Sequence, residues 1–579
     1  MNVSPWKVGS LPCLVLALCG LACGEAAPAA EPDARVEDGV DERDPDADPD
    51  ADTDASLDPW QRFARAEEAR WLLHHRAHPD SWRSALYPPA WTPDASDPSG
   101  AFLHDFSYAG YRHGEDPPSG WPTPVVDVTD FGADPSGMED STSAIQAAID
   151  ALPQGGTVAL PQGRYWVAGR LWVRRSGVVL AGAGAAETYL HLGWGDGVGR
   201  GASFTFAGER RQGPLLPLLE DGESRASRVR VAGASQLRVG QDIGVGWVIT
   251  RAFVEAHGMT GTWVTFNGQP RIFFRRQVVA VEGEWVTLDV PLRYAALLRD
   301  EAFVQVDEGY LSEVGLEDLA FSTVVDEDLA WAATRHHGVA FVRVADGWIR
   351  RVATFDPGED DWHLQSNGLL VDESKRVSIA DVVLGPAIHR GPGGNGYLVE
   401  VSRSSEVLIR DATARGGRHN FIQNWDFGTS GVVWLRTRSL GGRSLPSRGS
   451  GVAQTGFSEF HHSLAMANLI DDSYTDDGWQ GKNRHAYSSG AGHSATESVF
   501  WNLRGPGQLW SYQFGLGYVI GTSPDLRVWT SLRAPDFTRG PAGTEPEDWS
   551  EGLGAGPDLV PQSLYEDQRR LRLLRAGLP

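Results

Sequence analysis

The sequence predicts an all-β protein wound as a parallel β-helix, with an inserted β-rich subdomain and short capping helices. Three observations carry this. The 579 residues exceed what one compact core fills, so the chain holds either several domains or one elongated repeat. The composition, 41% hydrophobic and 22% charged with 68 Gly and 35 Pro, is that of a globular, turn-rich chain. Most telling is an irregular internal repeat. Apolar strands Val339-Ala340-Phe341-Val342, Leu369-Leu370-Val371, Leu398-Val399-Glu400-Val401 and the position Phe427 recur, with Val342, Val371, Val401 and Phe427 spaced 29, 30 and 26 residues apart. Each is followed six residues later by another apolar strand residue. That is the length of one coil rung, and a rung buries its inward side chains only by stacking on neighbours about 4.8 Å away.

Element by element, the chain opens on an address. Residues 11–23, LPCLVLALCGLAC, are apolar, too short to span a membrane, and preceded by Lys7. They resemble a bacterial lipoprotein signal, with Gly20-Leu21-Ala22-Cys23 the best match and Leu16-Ala17-Leu18-Cys19 a weaker one. The resemblance implies lipidation at Cys23, hence an exported outer-membrane or cell-surface protein touching the membrane only through its N-terminal anchor. The alternative is an ordinary secretory signal cut near Ala26-Ala27, giving a periplasmic or secreted protein. Residues 24–57 follow as a tether. Positions 31–55 hold twelve acidic residues and two Arg, and like-charge repulsion with alternating Pro keeps such a segment extended. An N-terminal extension, 58–120, starts with Asp58-Pro59, an N-cap followed by Pro at the first helical turn, and predicts a helix to about Arg76.

In 121–185, Val126–Asp134 leads to a helix with Ile145, Ala148, Ile149 and Leu152 on one face. Strand and turn then alternate through Gly155–Pro161, Gly163–Val167 and Gly177–Gly184. The run VTDFGADPSGMEDSTSAIQAAIDALPQGGTVALPQGRYWVAG resembles the N-terminal segment of the pectate-lyase superfamily of right-handed parallel β-helices, which includes glycoside hydrolases, polysaccharide lyases and phage tailspikes. The resemblance implies a right-handed coil whose open end the short helix caps. It points to fold rather than reaction, because that segment does not normally hold the catalytic groups. The pattern breaks over 186–312, where Val278–Val281, Glu282-Gly283-Glu284 and Trp285–Leu288 spell a hairpin, so this region reads as the insert. Rungs resume over 313–540. A C-terminal extension, 541–579, carries the capping-box pattern Ser563-Leu564-Tyr565-Glu566 before a helix expected at the C-terminal end of the protein.

Charge and cysteine content exclude several classes. The net charge is −25 and no basic patch with interleaved aromatics stands out, which argues against nucleic acid. All three Cys lie in the first 23 residues, so the body has neither disulfide nor thiolate metal site. No Walker A loop, HExxH or nucleophile elbow is present. The expected protein is a monomer acting on a polysaccharide, with no required cofactor and Ca²⁺ as the candidate ion.

The densest chemistry lies between about 415 and 495, which holds five of the 16 His. Three functions compete there. A glycoside hydrolase, the favoured reading, would pair Asp426 with Asp476 or Asp477 as acid and base. A polysaccharide lyase would neutralise a uronate carboxylate with Arg418 or Arg484 and take the C5 proton with His419, His485 or Tyr487. A non-catalytic glycan-binding module would rely on exposed Trp. Substrate contacts fall to Arg418, Trp425, His461, His462 and Trp479, with Asp361 and His363 from an earlier rung. His337, His363, His389 and His419 each precede a register position, so they could line one side of the coil. Against each assignment stands a plain one: Asp pairs close turns or hold structural Ca²⁺, and a buried His is commonly a hydrogen-bonded turn residue.

Overall fold

The computed structural model describes residues 81–193, 201–333, 335–530 and 547–577. Within it one column of side chains runs the length of the molecule. Register places Val126, Val158, Leu180, Leu316, Ile349, Ile379, Ile409, Trp434, Ile470, Phe500 and Val519 directly above one another in a 16-stranded parallel sheet. All but the first are fully buried. A ten-stranded parallel sheet supplies the facing column Leu171, Phe204, Val339, Leu369, Val399 and Phe421. These columns are the inside of a parallel β-helix, and they pack as one apolar cluster. The repeat read from sequence is displaced at its ends. Phe341, not Val342, aligns with Val371 and Val401, because a one-residue slip moves a strand side chain to the opposite face. Phe427 leaves the coil interior for the core of the insert.

The 16-stranded sheet bends at corners made by left-handed residues. Asp318, Arg351, Asp381, Asp411, Arg436, Asp472 and Asn502 occupy successive rungs, all with φ between 48 and 58°. Before this corner Leu311–Thr323 pairs with Val178–Gly182, and beyond it with Thr188–Leu192. Non-glycine residues pay for this conformation, and here the stacked charges offset part of the cost. Arg351 Nε donates to Asp318 at 2.6 Å, Arg436 Nε to Asp411 at 2.6 Å, and Asn502 Nδ2 to Asp472 at 2.9 Å.

The insert is a six-stranded antiparallel sheet spanning Arg211–Pro217 to Phe303–Glu308. It is narrower than 186–312, since Thr188–Leu192 and Ala202–Ala207 are coil strands. The expected hairpin forms, with Val281 opposite Val286 and Glu282 opposite Trp285. Its apolar core closes over Phe427, Leu464 and Met466 of the coil. Buried arginines seal the joint: Arg293 Nη2 reaches Glu406 at 2.7 Å with both side chains almost fully buried.

The helix Thr142–Asp150 covers the first rungs with Ile145, Ala148 and Ile149 inside. The helix Leu564–Arg575 is capped as its pattern requires, Glu566 N donating to Ser563 Oγ at 3.1 Å. Its expected position is corrected: Leu564 and Tyr565 pack on the flank of the coil, against Leu435, Leu469 and Val499. The coil also runs past residue 540, because Trp549–Glu551 adds a strand to the 16-stranded sheet. The signal, Cys23, the tether and the helix expected over 58–76 lie outside the described residues. No helix among the described residues is long and apolar enough to cross a membrane.

Candidate functional site

The ten-stranded sheet carries its chemistry on the outer face. Residues two apart in a strand share a face, so in Ser458–Phe460 and the residue after it, inward Phe460 leaves Glu459 and His461 together outside. Register then stacks Glu400, Ile422, Glu459, Gln480, Trp510 and Trp529 as an outer column. Beside it, at the strand starts, His337 aligns with Asn367 and Tyr397 with His419.

The centre of this face is Glu459, which is completely buried. His461 Nδ1 and Gln480 Nε2 contact its two oxygens. His419 Nε2 lies 3.4 Å and Arg484 Nη1 3.8 Å from Oε1. Burial alone would raise the Glu459 carboxyl, but the charge of Arg484 and the hydrogen bond from His461 outweigh it and hold the group well below the usual range. Burial pushes His461 down to about 3, with Arg484 adding to the effect, and His419 to about 4. The Tyr397 ring lies 5.2 Å from His419 and 6.0 Å from His461, its phenol pushed by burial up to about 12. Glu400 forms a second centre, with His337 Nε2 at 2.9 Å and Asn424 Nδ2 at 2.9 Å. Despite burial, which raises it, His337 and Arg335 bring it down to about 2. Both carboxylates are therefore ionised and both imidazoles of the main cluster neutral near pH 7.

Residues 482–490 close over the site. Arg484 Nη1 donates to the His461 carbonyl at 2.6 Å, Ser488 Oγ sits 3.3 Å from His461 Nε2, and the Ser488 carbonyl meets His462 Nε2 at 2.8 Å. Trp425, 40% exposed, packs at a tilt against His462, ring centroids 4.2 Å apart. Lys482 lies over Trp510 at 4.3 Å.

Of the expected residues, the structure brings His419, His461 and Arg484 together, while Arg418, next to His419 in the chain, is anchored on the Gly391 carbonyl at 3.0 Å. His462 and Trp425 adjoin them. His485 and Tyr487 belong to the covering segment, Tyr487 61% exposed. The Asp pair does not assemble. Asp426 follows the strand His419–Gln423, whereas Asp477 precedes the parallel strand Trp479–Gly481, so they occupy opposite ends of one sheet. Asp426 is paired with Arg271 at 2.9 Å. Asp477 is a buried latch accepting from Asn420, Ser439, Thr475, Gly442 N and Gly478 N. Asp476 is exposed and accepts from Gly441 N at 2.6 Å. Trp479 cannot face a sugar: it is fully buried inside the coil, parallel to Phe421. Asp361 binds Arg415 through both oxygens, and His363 is fixed by Thr354 Oγ1 at 2.9 Å, away from the cluster. Of the four aligned His, only His337 and His419 join the strand-start column, while His389 packs at a tilt against Trp331, ring centroids 4.2 Å apart. Glu459, Gln480, Tyr397 and Glu400 were not among the expected residues. Strand parity, Glu-Phe-His with Phe inward, is the signal that finds the first of them.

Residues 125–199 match the family model described as rhamnogalacturonase A/epimerase, pectate lyase-like, the stretch on which the resemblance to pectate-lyase-like β-helices was read. Alginate lyase 7 of Azotobacter vinelandii is 47% identical over 77 residues, 12% of this chain and 9% of that one. Mannuronan C5-epimerase AlgE5 of the same organism is 34% identical over 144 residues, 23% of this chain and 14% of that one. The chain thus spans a small fraction of the length of these curated relatives. Among solved structures, the tailspike gp61 of Pseudomonas phage phi297 aligns over 69% of this chain and 70% of its own, with 13% identity and a TM-score of 0.40. The A-module of Azotobacter vinelandii mannuronan C5-epimerase AlgE4 covers 74% of this chain and 97% of its own, with 15% identity and a TM-score of 0.27.

Proposed function

We propose that this protein is an exported enzyme acting on a uronate-containing polysaccharide, removing the proton at C5 beside the carboxylate, as a lyase or an epimerase does. The observation that carries it is the convergence of Arg484, His419, His461 and Tyr397 around Glu459 on the outer face of the ten-stranded sheet. C5–H is acidic only once the adjoining carboxylate is neutralised, which positive charge at the site supplies. Proton transfer falls to the phenol and imidazoles that face one another there. Glycoside hydrolysis finds less support. It needs one carboxyl that keeps its proton, and Glu400 and Glu459 are both held ionised. The reactions printed in the names of the matched lyase and epimerase agree with this reading. The net charge of −25 would slow a polyanion's approach, and the arginines act once it is near. Trp425, 40% exposed, flanks the centre as a sugar-stacking face. Export, with a lipid at Cys23, rests on residues 11–23; the coil itself acts as a monomer without nucleic-acid partners.

The test incubates the protein with polymannuronate, polyguluronate, polygalacturonate and neutral glycans. Ultraviolet absorbance reports unsaturated uronate, reducing ends report any cleavage, and exchange of the C5 proton with deuterated solvent reports epimerisation. The expected result is absorbance or exchange on a uronate polymer, lost at least ~100-fold in Arg484→Ala and Tyr397→Phe. Reducing ends without absorbance would establish a hydrolase instead, and silence on all three a binding module.

A further inference from the structure

We propose that His419, Glu459 and His461 form a binding site for one divalent transition-type cation, of the zinc, cobalt or manganese class rather than calcium. The three donor atoms, one from each side chain, lie within 4.8 Å of one another, and all three residues are buried. The second observation is the orientation of His419. Its Nδ1 is bonded to the Phe457 carbonyl, and a carbonyl only accepts, so Nδ1 carries the ring proton. Nε2 then presents a lone pair, has no hydrogen-bond partner among the described residues, and points at a carboxylate oxygen 3.4 Å away. His419 is 6% exposed, so water does not relieve this meeting of two electron-rich atoms. A cation between them does.

The surroundings match how proteins hold such ions. A ligating imidazole donates its other N–H to a carbonyl or hydroxyl, which fixes its tautomer. His419 does so to Phe457 O, and His461 Nε2 has Ser488 Oγ at 3.3 Å. The second Glu459 oxygen is held by Gln480 Nε2. Two imidazole nitrogens and one carboxylate, with a position left over, is a donor set for borderline metals, whereas calcium takes six to eight oxygens. The coil builds it from two adjacent rungs, His419 opening one strand and Glu459 and His461 flanking Phe460 in the next. Arg484 remains on the His461 carbonyl, so ion, arginine and one carboxylate leave net positive charge. A uronate carboxylate in the open position would complete the shell. This deepens the proposed function by making the ion the neutralising group and leaving Tyr397 to move the proton.

The test needs no substrate. The whole chain, stripped with chelator, is titrated with Zn²⁺ and Co²⁺, with Ca²⁺ and Mg²⁺ as controls, following thermal unfolding, metal content and the Co²⁺ visible spectrum. We expect one Zn²⁺ or Co²⁺ per chain, a raised melting temperature and a Co²⁺ ligand-field band. These are lost in Glu459→Gln and in His461→Gln and weakened about tenfold in Ser488→Ala. Metal-free melting of each variant checks that it is folded. Equal binding by wild type and a folded His419→Gln/His461→Gln chain would overturn the inference, as would Ca²⁺ binding as tightly as Zn²⁺. Zinc bound at this site by a protein inert on every uronate polymer would sink the proposed function and leave the inference standing.

Discussion

Asp477 shows what a single carboxylate does when five donors surround it. Burial raises it to about 6, even though Thr475, Gly478 N and Ser439 pull it down. Replacing it with Ala strands Asn420, Ser439 and two backbone N–H groups in the interior. The expected loss is about 3 kcal/mol or more, read as a lower midpoint in urea unfolding; a change under about 1 kcal/mol would mean the latch is not closed in solution. Ser563 presents a milder case. It caps the last helix and also donates to Asp471 at 2.7 Å, so Ser563→Ala should cost about 1–2 kcal/mol. The residue scale also holds the least legible part of the site. His419, His461, Arg418 and Arg484 were readable as a polar segment. Glu400 and Tyr397 were not, because they sit among apolar strand residues and become neighbours of His337 and His419 only through rung stacking.

At the scale of elements, the corners of the 16-stranded sheet are a row of polar, mostly charged residues in a conformation that usually favours glycine. Asp411→Ala should therefore lose up to about 1 kcal/mol from the left-handed backbone, which Asp and Asn tolerate better than Ala, plus the Arg436 pair, whereas Asp411→Asn should lose less; equal losses would discount the backbone. The insert is tied to the coil by Arg293 and Glu406, both almost fully buried. Arg293→Ala leaves that carboxylate without its closest partner and should cost about 3–5 kcal/mol, and adding Glu406→Gln should recover part of it. Additive losses in the double variant would show that the pair does not interact. Sequence spacing could place the insert's hairpin but not this staple, since it joins residues 113 apart.

The whole molecule sets its own pH range. Burial lowers His257, His389, His419 and His462 to about 4 and His336, His461 and His493 to about 3. Unfolded, each titrates near ~6.5, so between about 6.5 and 4 the unfolded chain binds more protons and stability falls as pH falls. Burial works the other way on Asp471, Asp477 and Asp548, raised to about 7, 6 and 6. Those groups gain stability as pH drops through that range. Seven histidines against three aspartates leave a net loss on acidification, on the order of 5 kcal/mol per pH unit near pH 5. Chelator-treated protein should therefore unfold at much lower urea at pH 5 than at pH 7. A higher midpoint at pH 5 would mean that the histidines are not buried neutral.

By itself the sequence determined the class of coil, its capping helix and hairpin, and which segment is richest in polar chemistry. These are written in local periodicity, turn residues and strand alternation. It misplaced Trp479, which reads as a sugar platform and lies inside the coil, and it joined Asp426 to Asp476 or Asp477, which sit at the opposite strand end. Only the tertiary structure decided which side chains meet. In a coil whose rungs run 30, 25 or 36 residues, as from Ile379 to Ile409, Trp434 and Ile470, contact depends on the length of every intervening turn. One residue more or less moves a side chain from the apolar interior to the reactive face.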